Sequence, residues 1–248
     1  ANLPERHKNV KVIFFDEIDS TNNECKRMLA NGFCETAIII AEKQNSGRGR
    51  QGKSFYSPPK TGIYFSVILD PMVKLANSVT VTAAASVAVL RAIKDTTGIL
   101  AQIKWVNDIY FNNKKICGIL TEAITDFESQ TVQNIIIGVG INVFTSEIPD
   151  SLGNIASSLG SSQLNRSKIL AAAASNLLDM DVSKGLIPYL DEYRANSVLL
   201  GRKIDYYVNT VLYHATVVGI SDDGGLMIEN ENGTSDILKS GEISVKFL

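Results

Sequence analysis

Lys104-Trp105-Val106-Asn107-Asp108-Ile109-Tyr110-Phe111-Asn112-Asn113-Lys114-Lys115-Ile116-Cys117-Gly118-Ile119-Leu120-Thr121-Glu122 is the stretch from which the fold is read. Ala101 to Val106 and Ile109 to Phe111 are strand-like. Asn112-Asn113 suits a tight turn, because asparagine tolerates positive φ, and Lys114 to Ile124 returns as the second arm of a hairpin. Gln133 to Phe144 continues as a central strand. Upstream, Leu75 to Thr97 is rich in Ala and Val without Gly or Pro, and predicts a long buried helix ending at Gly98. Ile63 to Leu69 and the β-branched run Thr36 to Glu42 are strands, as is Lys11 to Asp16. Asp19 to Asn31 opens on small polar residues and predicts a helix, with Thr21-x-x-Glu24 forming a capping box. Helices are expected at Arg166 to Met180 and Lys184 to Asn196. The sum is α+β with a mixed or antiparallel sheet.

From Leu199 the pattern changes. Arg202 to Asn209, Val211 to Ile220, Leu226 to Glu229 and Ser235 to Phe247 are short β segments. Turns at Ser221 to Gly225 and Asn230 to Gly233 separate them, which predicts a small β-barrel. The expected division is therefore 1–198 and 199–248.

The totals exclude several classes. Twenty-four basic and 26 acidic residues leave a formal charge of −2, so bulk electrostatics draw the chain neither to nucleic acid nor to an anionic membrane. Three widely spaced cysteines without a Cys-x-x-Cys point to reduced thiols, a cytoplasmic setting and no zinc site. The two histidines, His7 and His214, lie far apart, so no metal centre is expected. The most apolar windows, Val79 to Leu90 and Ile135 to Phe144, are too short to span a bilayer.

Gly47-Arg48-Gly49-Arg50-Gln51-Gly52-Lys53-Ser54 matches the phosphate-loop pattern G-x-x-x-x-G-K-[ST]. That pattern needs a helix after it, and Pro58, Pro59 and Gly62 forbid one. A P-loop nucleotide triphosphatase is thus a minor alternative. What remains is a glycine loop carrying Arg48, Arg50 and Lys53 and no acid, suited to closing over phosphate or carboxylate oxygens.

Taken together, Ser20-Thr21-Asn22, the 47–52 loop, Lys104 to Asp108, Lys115 to Glu122, Gly138-Val139-Gly140-Ile141-Asn142 and Ser240 to Val245 closely resemble the biotin–protein ligases, in order and separation, over nearly the whole chain. The resemblance implies the catalytic fold of the biotin and lipoate ligases followed by a C-terminal SH3-like barrel. It implies a two-step reaction with biotin and ATP as substrates and Mg2+ as cofactor, in which biotinyl-AMP forms and passes its biotin to a lysine of a biotin carboxyl carrier protein. Catalytic roles fall by resemblance to Arg48, Arg50, Lys104, Asp108 and Lys115. Ser20, Thr21, Asn22, Gln44, Arg48, Gly49, Arg50 and Lys115 are the implied biotin contacts. Lys53, Asn107 and Asn142 are the implied nucleotide contacts, and Trp105 is expected to pack rather than react.

Val106 departs from a proline common in the family, Gln51 and Lys53 from arginines, and Phe55 from a tryptophan. None removes a group the two steps require. A lipoate–protein ligase is the nearest alternative enzyme, but its glycine triplet followed by His-Asp is not found. A non-enzymatic biotin-binding module is the alternative of another class. Some members carry an N-terminal DNA-binding helix-turn-helix; with nineteen mostly strand-like residues before Ser20, no DNA partner is expected. The resemblance admits a homodimer.

Overall fold

Lys11–Ile18 (β1) lies parallel to Ala37–Gln44 (β2) because the intervening helix Thr21–Ala30 (α1) carries the chain back to the same end of the sheet. The computed structural model describes residues 3–69, 73–74, 78–126, 131–144, 148–149, 153, 155–208, 211–239 and 244–247. The next elements are Gly62–Leu69 (β3), the two-residue Val73–Lys74 (β4) and the helix Ser78–Thr97 (α2). Gln102–Lys104 (β5), Asp108–Phe111 (β6), Lys114–Asp126 (β7) and Thr131–Asn142 (β8) follow. They form one eight-stranded sheet in the order β1-β2-β3-β8-β7-β6-β5, with β4 paired to β8. Only β1 and β2 run parallel, so the sheet is mixed, as expected.

The hairpin forms as its asparagines predict: Asn112 and Asn113 sit at φ 51° and 60°. Its approach differs from expectation. Trp105-Val106-Asn107 make a turn instead of extending a strand, so that Lys104 pairs back onto Asp108. After Gly47 the chain makes only a short 3-10 turn at Arg50–Gly52, with no α-helix before α2, which rules out a phosphate loop. Helix α2 ends at Gly98, whose φ of 74° suits a glycine. It is buried almost all round, with Ala84, Ala88 and Ala92 inside, because the sheet covers one side and Arg166–Leu178 (α3) another.

The predicted helix Lys184 to Asn196 resolves into 3-10 turns at Val182–Lys184 and Ile187–Tyr189 and a short helix Leu190–Ala195 (α4). Gly185 at φ 52° and the ring of Pro188 interrupt the longer helix. Lys203–Val208 (β9), Val211–Ile220 (β10), Leu226–Asn230 (β11), Ser235–Leu238 (β12) and Ser244–Phe247 (β13) then form a second sheet. It is antiparallel and five-stranded, in the order β12-β11-β10-β9-β13. The expected single run Ser235 to Phe247 is two strands on opposite edges. Among the described residues no pairing closes those edges into a barrel. Residues 240–243 of the tail motif lie outside the described residues.

The two sheets share one hydrophobic cluster, which includes Ile103 and Val106 as well as Ile204, Leu226 and Leu238. Trp105 is buried in it, and its indole N–H donates to Gly224 O at 2.9 Å.

Candidate functional site

The start of α1 spends none of its small polar side chains on capping. Ser20 occupies the N-cap with extended backbone and makes no side-chain cap bond, and Thr21 is already helical. The expected capping box is therefore absent, and Glu24 turns outward to Arg27 Nε at 2.8 Å. Ser20, Thr21 and Asn22 are instead buried facing a cavity. Gln44, at the end of β2, accepts from the Thr21 backbone N–H at 2.9 Å and lies 3.2 Å from the Thr21 hydroxyl. Its amide N donates to Ser57 Oγ at 3.0 Å.

The sheet beneath is built of glycine where these groups approach. Gly118 and Gly140 pair across β7 and β8, and Gly138 pairs with Leu120. A Cβ on Gly138 would come within 2.0 Å of Asn22 Oδ1, and one on Gly140 within 2.4 Å of the Phe55 ring. The Gly-x-Gly of β8 is thus a shelf for one amide and one aromatic ring. Its string is visible in the sequence, but what fills the missing Cβ space is not. Phe55 also lies 5.9 Å from Lys115 Nζ.

Cations share the same cavity. Arg48, Arg50, Lys53, Lys104 and Lys115 line the cavity, and among the described residues Asp108 is the only acid that does. Lys115 Nζ is 2.7 Å from Asp108 Oδ1, and Lys104 Nζ lies 5.3 Å from the centroid of the Tyr110 ring. Arg48 donates to Asn23 Oδ1 at 2.8 Å, and Arg50 donates to Asn107 Oδ1 at 3.2 Å. Burial lowers the pKa of the Arg50 guanidinium, only partly offset by Asp108. Asn107 is itself pinned, its amide donating to Ile119 O at 2.8 Å. Within the loop, Gly49 N donates to Lys53 O at 2.7 Å and Phe55 N to Gly47 O at 2.8 Å.

One wall was not legible in advance. Residues 155–157 lie along the start of β7, where Lys115 N donates to Ile155 O and Ser157 N to Lys115 O, at 2.9 and 2.8 Å. Asn142 secures the same segment by donating to Ser157 O at 2.9 Å. Nothing local in Ile155-Ala156-Ser157 signals this contact.

All thirteen residues singled out from sequence line this one cavity of about 590 Å³. Neither a histidine nor a cysteine lines it, and among the described residues no three His, Cys, Asp or Glu side chains cluster as a metal site. Burial pushes the Cys25 thiol up to about 12, so it is no nucleophile. The arrangement sets small polar side chains and a cluster of cations around one cavity of a size to hold a small molecule.

The chain belongs to the biotin/lipoate A/B protein ligase family, whose model matches residues 14–142, and the biotin protein ligase C-terminal domain matches residues 209–246. It is 33% identical over 236 residues to the bifunctional ligase/repressor BirA of Bacillus spizizenii, covering 91% of this chain and 71% of that one. The biotin–[acetyl-CoA-carboxylase] ligase of Paracoccus denitrificans is 26% identical, covering 87% of this chain and 92% of the relative. Among solved structures, the biotin protein ligase of Aquifex aeolicus in complex with biotin and ATP superposes with a TM-score of 0.80 at 27% identity, over 96% of this chain and 99% of that one. No described helix is long and apolar enough to cross a membrane.

Proposed function

We propose that this ligase activates biotin with ATP to biotinyl-AMP and transfers the biotinyl group to a lysine of a biotin carboxyl carrier domain. The observation that carries the reading is the convergence of separate sequence motifs on one cavity that combines small polar side chains with a cluster of cations. Biotin matches that layout, with a neutral cyclic urea, an apolar body and a terminal carboxylate.

In this reading Ser20, Thr21, Asn22 and Gln44 hold the urea, and Gly49 brings its backbone close to the ligand. Lys115 meets the carboxylate as it attacks the α-phosphate. Arg48 and Arg50 neutralise the charge that develops at phosphorus, with Lys104 and Lys53 toward the leaving pyrophosphate. Asn107 and Asn142 serve the nucleotide. Neither step requires an enzyme nucleophile: the biotin carboxylate displaces pyrophosphate, and the acceptor amine then displaces AMP.

Mg2+ would enter with ATP. Magnesium keeps several waters and is usually bound by substrate phosphates plus one or two carboxylates. A wall whose single acid is Asp108 fits that donor set, with Asp108 as its protein oxygen. We further propose residues 1–198 as the catalytic unit and 199–248 as an SH3-like unit packed on it through Trp105, and a cytoplasmic setting in keeping with three free thiols. Incubation with biotin, ATP, Mg2+ and a carrier domain tests the reading by intact mass. One biotinyl group on one carrier lysine supports it, and an unmodified carrier speaks against it.

A further inference from the structure

Two polar side chains stand behind the Thr21–Asn22 pair without lining the cavity. Ser66, on the central strand β3, is wholly buried, its Oγ 2.7 Å from Thr21 Oγ1 and 2.6 Å from Asn22 Oδ1. Glu122, on β7 two residues past Leu120, accepts from Asn22 Nδ2 at 2.9 Å and from Lys26 Nζ at 2.6 Å. The Arg48 guanidinium lies 3.6 Å from the same carboxylate.

Counting protons gives this network a direction. An ionised carboxylate and an amide oxygen only accept, and a hydroxyl has one proton to give. Glu122 and the Leu120 carbonyl, at 3.4 Å, both face the amino group of Asn22, so the amide oxygen must face Ser66. Ser66 then gives its proton to Asn22 Oδ1 and can only accept from Thr21. The Cys25 thiol beside Ser66 is too weak an acceptor to divert that proton. Gln44 Oε1 holds the Thr21 backbone N–H and can likewise only accept from the hydroxyl. Whichever of the two receives it, the Thr21 proton points into the protein. The hydroxyl is left with lone-pair density for the cavity it lines.

We propose that Glu122 and Ser66 are positioning residues that set the hydrogen-bond polarity of Thr21 and Asn22, so that this wall of the cavity selects ligands presenting N–H donors, as a cyclic urea does. The inference rests on the biotin reading above. It assigns selectivity to a carboxylate that never meets the ligand. A glutamine at 122 would have one acceptor oxygen for two donors, Asn22 and Lys26. Its own amino group would invite the Asn22 amide to turn over and reverse the relay.

The test uses the full chain. Biotin Kd is measured by calorimetry, ATP KM by pyrophosphate exchange at saturating biotin, and Tm by thermal melting, for wild type, Glu122→Gln, Glu122→Asp and Ser66→Ala. Misdirected or unpaired buried polar groups should raise biotin Kd about tenfold or more in Glu122→Gln and Ser66→Ala. ATP KM should stay within about twofold, and Glu122→Asp, which still only accepts, should recover part of the affinity. Unchanged biotin Kd in both variants overturns the inference, as does a parallel rise of both constants with a falling Tm. Should Glu122→Gln fail to fold, Ser66→Ala, which removes a single hydroxyl, decides by the same criteria. A wild type that binds no biotin overturns the functional reading first, and this inference with it.

Discussion

Lys115 Nζ stands 2.7 Å from Asp108 Oδ1 across the β6–β7 hairpin, which makes the ammonium a paired, partly buried group lining the cavity and not a stray charge at a turn. Its neighbour Lys114 points elsewhere, donating to Gly153 O at 2.8 Å. In the proposed reaction a carboxylate ligand would replace Asp108 as the partner of Lys115, whose ammonium the pair already holds in place.

Lys115→Ala should lower kcat of adenylation on the order of 10²–10³-fold, the usual loss when one preorganised donor to developing charge is removed. Stability should fall by about 1 kcal/mol or less, since a partly solvated ion pair contributes little. Single-turnover kinetics with a parallel melting curve check both halves. Near-normal adenylation would return Lys115 to the status of a surface charge.

Gly138→Ala should weaken biotin binding at least tenfold, because the added Cβ would lie 2.0 Å from Asn22 Oδ1 with a strand backbone on one side and a helix start on the other. Overpacking of this kind costs about 1–3 kcal/mol. Calorimetry against biotin reads the effect, and wild-type affinity would mean that Asn22 has room to move.

How legible this site was differs from residue to residue. The hairpin was legible because Asn112-Asn113 encodes its own positive φ, and the strands because their β-branched runs are dense. The expected helix 184–196 is broken because Gly185 takes a positive φ and Pro188 cannot supply a backbone donor. The capping box at Thr21-x-x-Glu24 was a plausible local solution, but Gln44 offers Thr21 a tertiary partner twenty-three residues away in sequence. Ser66 and Glu122 sit in ordinary strands, and only the folded register brings them to Asn22. Short motifs disclosed the groups lining the cavity, whereas the groups holding them are set by pairing across strands.

Acid should weaken the site through Glu122. Burial pushes its carboxyl up, but the Lys26 ammonium and the Asn22 amide outweigh that and hold it below the usual carboxylate range. A depressed folded value means that its contribution is fully present above the unfolded value of about 4.3 and is lost as pH falls through the folded one. Biotin affinity depends on the protonation of the folded protein, so it should be level from neutrality through the usual glutamate value of about 4.3 and decline only as the pH falls through the lower folded value. Glu122→Gln should remove its share of that decline, as measured by calorimetry across the range. An identical acid profile in the variant would assign the decline to other carboxylates.

Trp105→Phe should destabilise the fold by about 0.5–1.5 kcal/mol, the net contribution of a typical hydrogen bond, because its indole N–H is a direct tie between the two sheets. Leaving Gly224 O buried without its donor would add to that cost. Urea unfolding gives the value. A variant of unchanged stability would mean that water replaces the indole donor.

Pyrophosphate exchange bears most directly on the central claim, because it reads the first chemical step without an acceptor protein. With ATP and Mg2+, biotin should drive label from pyrophosphate into ATP and lipoate should not, while Arg50→Gly should exchange more slowly and hold its adenylate less well, letting it escape to label lysines indiscriminately. Exchange supported by lipoate and not by biotin would contradict the account.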